Sequence, residues 1–97
     1  MVLINAIILY INGDIELNKV DINDVINDYD LYCPISKYKL SMGVIPIDEL
    51  EYKDIQINKI ATDIYKSEIL GDCIIISDDE DEIPIYYEEL KKQYKRT

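Results

Sequence analysis

The chain has no histidine, no tryptophan and no phenylalanine, and its 97 residues include only three glycines, three prolines and two cysteines. Without histidine there is no Ser-His or Cys-His pair, and the usual general base tuned near neutral pH is excluded. Cys33 and Cys73 form no C-x-x-C pair, so a thiolate or imidazole zinc cluster is excluded as well. Disulfide-stapled secreted domains of this size carry about four or more cysteines, so the two here are expected to be reduced thiols. No apolar run approaches the roughly 18 residues that span a bilayer. The most apolar stretch, Val2 to Ile11, contains Asn5 and lacks a basic flank and a small-residue cleavage site, so it reads as a strand and not as a signal peptide.

Basic residues are also scarce. Twenty acidic residues face ten basic ones, and four of the ten (Lys91, Lys92, Lys95, Arg96) lie in the last seven positions. Residues 1 to 90 therefore carry 20 acids against six bases, a net of −14. Such a surface repels nucleic-acid backbones and anionic membranes and attracts basic protein surfaces, with steering that salt weakens. The partner expected from charge is a basic protein, with no direct nucleic acid and no membrane.

What is present is isoleucine, 20 residues of it, with tyrosine as the only aromatic ring. Residues 2 to 11 are β-branched and apolar almost without break, as in a strand buried on both faces. Asn12-Gly13 follows, a hairpin signal of type I′, and a second strand is expected over Asp14 to Val20 with Ile15, Leu17 and Lys19 on one face. Asp21 reads as an N-cap, and Ile22, Val25, Ile26 and Tyr29 recur at helical spacing, which predicts a helix over 21 to 30. Cys33-Pro34 breaks that pattern. From Ile35 to Val44 the residues alternate, with Tyr38, Leu40, Met42 and Val44 on one side, which predicts a half-buried strand. Residues 46 to 54 read as a connection. Ile57, Ile60, Ala61 and Ile64 predict a helix over 56 to 67, and Cys73 to Ile76 a buried strand. The run Asp78, Asp79, Glu80, Asp81, Glu82 is expected to be a hairpin tip or loop, with Ile83 to Tyr86 returning as an edge strand that tolerates Pro84. A terminal helix over 87 to 95 closes the chain. The expectation is one acidic α+β domain over 1–97: a small mixed or antiparallel sheet of four to five strands, with two to three short helices mainly on one face.

Candidate sites follow from the charge. Asp21, Asp24 and Asp28 at i, i+3, i+7 line one side of a helix over about 10 Å, a spacing and sign that resemble a row of phosphates. The same pattern is also the ordinary solvated side of an amphipathic helix. The run Asp78, Asp79, Glu80, Asp81 and Glu82 lacks the D-x-[DN]-x-[DN]-G calcium loop and is read as a solvated loop or a partner-binding patch. Tyr86 and Tyr87 beside it are candidate anchors for a protein interface. No phosphate loop, nucleophile elbow or metal helix is present, so no catalytic residue, metal or cofactor is assigned and the chain is not expected to be an enzyme.

The order of elements resembles a poorly characterised family of small single-domain proteins of bacteriophages and mobile elements. MVLINAIILYINGDIE and VDINDVINDY correspond to its N-terminal strand, turn and short helix, and INKIATDIY followed by GDCIIIS to its later helix and apolar strand. The chain departs where such domains carry a glycine pair after the first helix, replaced here by Tyr29-Asp30-Leu31, and in the central segment MGVIPIDEL. The resemblance implies a setting in the host-cell cytoplasm, where small acidic proteins counter host defence. Charge and resemblance together give the expected function: binding and inhibiting a basic nucleic-acid-processing host protein, by mimicry of nucleic acid. The alternative is a module sequestering a small ligand such as a nucleotide, for which Lys37 and Lys39 are the best local donors. A monomer or weak homodimer is expected, any dimer pairing the Ile35 to Val44 strand at a sheet edge.

Overall fold

The N-terminal apolar run forms β1 (Leu3–Leu9), and it pairs antiparallel with β2 (Ile15–Asp21) from Leu3↔Asp21 to Leu9↔Ile15. The structure, a computed structural model, describes residues 2–35, 40–45 and 56–94. The turn between these strands differs from the expected type I′. Gly13 has φ 93° while Asn12 does not have positive φ, and Gly13 N–H donates to Tyr10 C=O at 2.9 Å. This is a three-residue loop ending in a left-handed glycine, pinned by the Asn12 side-chain oxygen, which accepts from Asp14 N–H at 2.9 Å.

Asp21 caps α1 (Ile22–Asp28) as its sequence position predicts: its carboxylate accepts from Asn23 N–H at 3.0 Å. The chain then enters β3 (Asp30–Ile35), β4 (Leu40–Val44), α2 (Lys59–Tyr65), β5 (Cys73–Ser77) and α3 (Glu82–Gln93). The five strands form one sheet in the order β2-β1-β5-β4-β3, with every neighbouring pair antiparallel. The fold is α+β.

Two expectations are corrected. Ile83 to Tyr86 is not a strand but the first turns of α3. Pro84 is tolerated there because the first-turn N–H groups of a helix have no intrahelical acceptor, and Ile83, Tyr86 and Leu90, spaced i, i+3, i+7, are buried together. The segment Ile35 to Val44 is not one edge strand. β4 lies inside the sheet between β3 and β5, so the edge on which self-association was expected does not exist; Lys37, Tyr38 and Lys39 lie outside the described residues. The sequence also hides β3, because Cys33-Pro34 reads as a break. In the sheet that dipeptide falls where the β3–β4 register shifts, between Tyr32 and Ile35, on an edge strand that tolerates a missing N–H.

The sheet carries helices on both faces, two on one and one on the other. Ile7, Leu9, Leu40, Met42, Cys73 and Ile75 pack with residues of α2 and α3, including Ile60, Ile83 and Leu90. Ile4, Ala6, Ile74 and Ile76 on the opposite face pack with Val25 of α1. The central strands β1 and β5 are therefore buried on both sides, which explains their nearly unbroken apolar sequence. Each fully buried isoleucine contributes about 1.5–3 kcal/mol relative to an exposed one.

One polar side chain sits inside this core. Asn58 is fully buried, and its amide nitrogen donates to Leu9 C=O at 2.9 Å and Gly71 C=O at 3.0 Å. Its amide oxygen accepts from Ala61 N–H at 3.2 Å and so caps α2. A single residue thus joins the end of β1, the approach to β5 and the start of a helix. We predict that Asn58→Ala lowers the unfolding free energy by about 3 kcal/mol, since it orphans buried groups at three points. Asn58→Asp is expected to be at least as damaging, because a carboxylate then faces two carbonyl oxygens. Urea unfolding midpoints at neutral pH check both; a change under about 1 kcal/mol would refute the assignment.

Candidate functional site

The pairing places the 78–82 run and Asp21, the first residue of the acidic segment on α1, at the same end of the sheet, while α1 itself crosses to the other end, where Asp30 pairs with Val44 and Val44 with Cys73. β5 runs antiparallel to β1, with Ile7 opposite Ile75, so the 78–82 run emerges beside the start of β1. Asp21 lies across from Leu3 at that same end, on the other side of β1. Glu80 is fixed there: its carboxylate accepts from Asn5 N–H at 2.7 Å, continuing the ladder beyond the last β1–β5 residue pair. Asp79 is equally occupied, its side chain accepting from Asp81 N–H at 3.1 Å and its carbonyl from Glu82 N–H at 3.1 Å. The run is therefore an ordered turn into α3 and not a hairpin tip.

Within it Asp78, Asp79, Glu80 and Asp81 are exposed, whereas Glu82 is half-buried and has a buried Oε2 without a hydrogen-bond partner. Glu82 opens α3, where the helix dipole favours negative charge. On α1, Asp24 and Asp28 are exposed and Asp21 is half-buried at the cap. The tyrosine pair is split. Tyr86 is only 7% exposed and belongs to the core, so it cannot anchor a partner, while Tyr87 is half-buried. The exposed apolar groups at this end are instead Val2, Leu3 and Ile85, each at least half exposed.

The opposite end of the sheet carries different chemistry. A groove of about 870 Å³ lies between the β1–β2 turn and the last turns of α3. Its hairpin wall includes Tyr10, Asp14, Glu16 and Leu17, and its helix wall includes Tyr87, Lys91, Lys92 and Tyr94. Tyr10 O–H donates to Glu16 at 3.2 Å, and Lys91 Nζ lies 5.7 Å from the centre of the Tyr87 ring. Sequence reasoning missed this groove. Tyr87, Lys91 and Tyr94 recur at i, i+4, i+7 and share one helix stripe, but assigning the start of that helix to a strand concealed how the stripe faces the hairpin.

Tyr94 also ties α3 to α2. Its hydroxyl donates to the Asp63 carboxylate, and Lys66 lies 3.7 Å from the same group. Burial, and then the neighbouring carboxylate, push the Tyr94 phenol above its ordinary value, while the hydrogen bond from Tyr94 and the Lys66 charge hold Asp63 below its own. Burial pushes the free Cys73 thiol up to about 12, so it is protonated and shielded at neutral pH.

Among the described residues no group of three or more His, Cys, Asp or Glu side chains is placed to hold a metal ion, and no helix is long and apolar enough to cross a membrane. Compared with family models, with curated proteins and with solved structures, the chain finds no match in any of the three.

The two shifts in the Tyr94–Asp63 pair have opposite signs, and each sets one limit on the tie. Asp63, lowered in the fold, stabilises above its unfolded pKa and loses that contribution as pH falls through the folded value. Tyr94, raised in the fold, stabilises below its unfolded pKa and loses the contribution as pH rises through the folded value. The tie is thus complete between roughly pH 4 and pH 10. In an ultraviolet titration Tyr94→Phe is expected to remove one late-ionising phenol, and to flatten the alkaline fall in stability. An unchanged titration curve would contradict the pairing.

Proposed function

We propose that the chain binds and inhibits a basic protein, a nucleic-acid-processing protein of a host that a phage or mobile element must disarm, acting in the host cytoplasm. The observation that carries this reading is the approach of the 78–82 run to Asp21, distant in sequence, at one end of the sheet beside exposed Val2, Leu3 and Ile85. An apolar centre with a charged rim is the usual anatomy of a protein interface, and the acidic rim supplies attraction to a basic surface. Asp24 and Asp28, exposed along α1, extend the negative surface from there, which is the arrangement mimicry of a phosphate row requires.

The test uses capture from host lysate with the wild type and with Asp24→Asn, Asp28→Asn, Asp78→Asn and Asp81→Asn combined. None of these four carboxylates is hydrogen-bonded among the described residues, so the fold is expected to survive. Basic partners should be retained at about 50 mM salt and largely released at about 300 mM, as screening of surface charge requires. The fourfold variant should capture at least tenfold less. Recovery of no basic partner, or capture indifferent to the four substitutions, overturns the proposal.

A second reading, sequestration of a small anion such as a nucleotide, is supported by Lys91 and Lys92 beside the Tyr87 ring in the groove. Titration with AMP, followed by amide chemical shifts of α3, tests it; no shift at millimolar AMP removes it.

A further inference from the structure

β2 is an outer strand of the sheet, and its register shows which of its backbone groups face outward. Tyr10 N–H donates to Asp14 C=O and Ile22 N–H to Val2 C=O, both at 3.0 Å, so residues 14, 16, 18, 20 and 22 turn their hydrogen bonds toward β1. Ile15, Leu17 and Lys19 therefore direct theirs away from the sheet. The Asn18 side-chain oxygen occupies the Lys19 N–H at 2.8 Å. What remains is an open edge at Ile15 and Leu17, with two N–H and two C=O groups at the spacing of a β-ladder.

This edge borders the groove. Ile15 and Leu17 line it, as do Tyr87, Lys91, Lys92 and Tyr94 of α3; Asp14 and Glu16 line it too, but they alternate onto the opposite face of β2 from Ile15 and Leu17. Among the described residues neither lysine forms an ion pair. The other edge of the sheet lacks this combination, because Pro34 and the register shift interrupt β3.

We propose that β2 and α3 together form a strand-addition site for an extended acidic peptide segment of a partner protein. The peptide backbone pairs with Ile15 and Leu17. Its alternate side chains turn toward α3, with an apolar residue against Leu17 and Tyr87 and carboxylates toward Lys91 and Lys92. A second copy of this chain fits less well: on that face its own β2 presents Ile15, Leu17 and Lys19, bringing a lysine toward the two lysines. The surface is separate from the acidic end of the sheet, so this proposal stands or falls independently of the capture of a basic protein there, and it competes with the small-anion reading for the same groove.

The probe is a blocked heptapeptide, Thr-Val-Thr-Glu-Thr-Glu-Thr, titrated into the full chain and followed by amide chemical shifts and hydrogen exchange. Binding is expected to shift and protect the Ile15 and Leu17 amides. The same peptide N-methylated on the residues that face β2, and a version with lysine in place of glutamate, should each bind at least tenfold more weakly. Lys91→Glu combined with Lys92→Glu should reverse the preference between the glutamate and lysine peptides. The proposal is overturned if the peptide does not bind at millimolar concentration, or if N-methylation leaves binding unchanged. It is also overturned if AMP, and not the peptide, binds at these residues, or if Ile15 and Leu17 become protected without peptide as protein concentration rises, the signature of a second copy. The wild-type arms decide the matter even if the lysine variant fails to fold.

Discussion

The buried Asn58 amide is the constraint around which the chain is organised. Folding an amide into an apolar core costs roughly 1–3 kcal/mol unless each of its groups is bonded. Here both sides of the amide are used: the nitrogen bridges Leu9 and Gly71, and the oxygen caps α2. Asn58 N–H adds a bond to Ile69 C=O at 2.8 Å, and Ile11 N–H finds the Asp72 carboxylate at 2.9 Å. The far end of the sheet is thus held by polar groups where β1 leaves and β5 enters. Leucine at position 58 would fill space and join nothing.

That end and the other differ in what they do with charge. Where β1 begins, carboxylates substitute for missing backbone partners: Glu80 serves Asn5, and Asp21 serves the first turn of α1. Both groups are structural, Glu80 exposed and Asp21 half-buried, so their negative charge is fixed in direction as well as in amount. Where α3 ends, lysines collect beside tyrosines. The net charge of the chain conceals this polarity, because a sum over residues has no direction.

The sequence made much of this legible, unevenly. The doubly buried strands were visible because Ile4 to Leu9 and Cys73 to Ile76 need no polar face, and Asp21 announced α1 because a cap is a local interaction. β3 was not visible: edge strands accept a proline and a register shift that resemble the end of an element. The start of α3 was hidden for a related reason, since Pro84 in a helix's first turn and Pro84 on a strand edge exploit the same absent N–H. Asn58 was not legible: the helix was expected to start at residue 56, which places Asn58 inside it and not at its cap, and its reach to Leu9 spans 49 residues of separation. The groove required knowing that the hairpin and α3 meet, which no periodicity encodes.

The strand order has a consequence for how the chain assembles. β1 pairs with β2, and β3 with β4, through short connections; each hairpin can close early because little entropy is lost in doing so. β5, the last strand to be synthesised, is the one in the middle, and it alone joins the two hairpins. Until residues 73–77 leave the ribosome, the inner edges of β1 and β4 are two apolar borders with no partner between them. The sheet is therefore completed by insertion and not by accretion, and a chain stalled before Cys73 leaves both borders open to pairing with other chains.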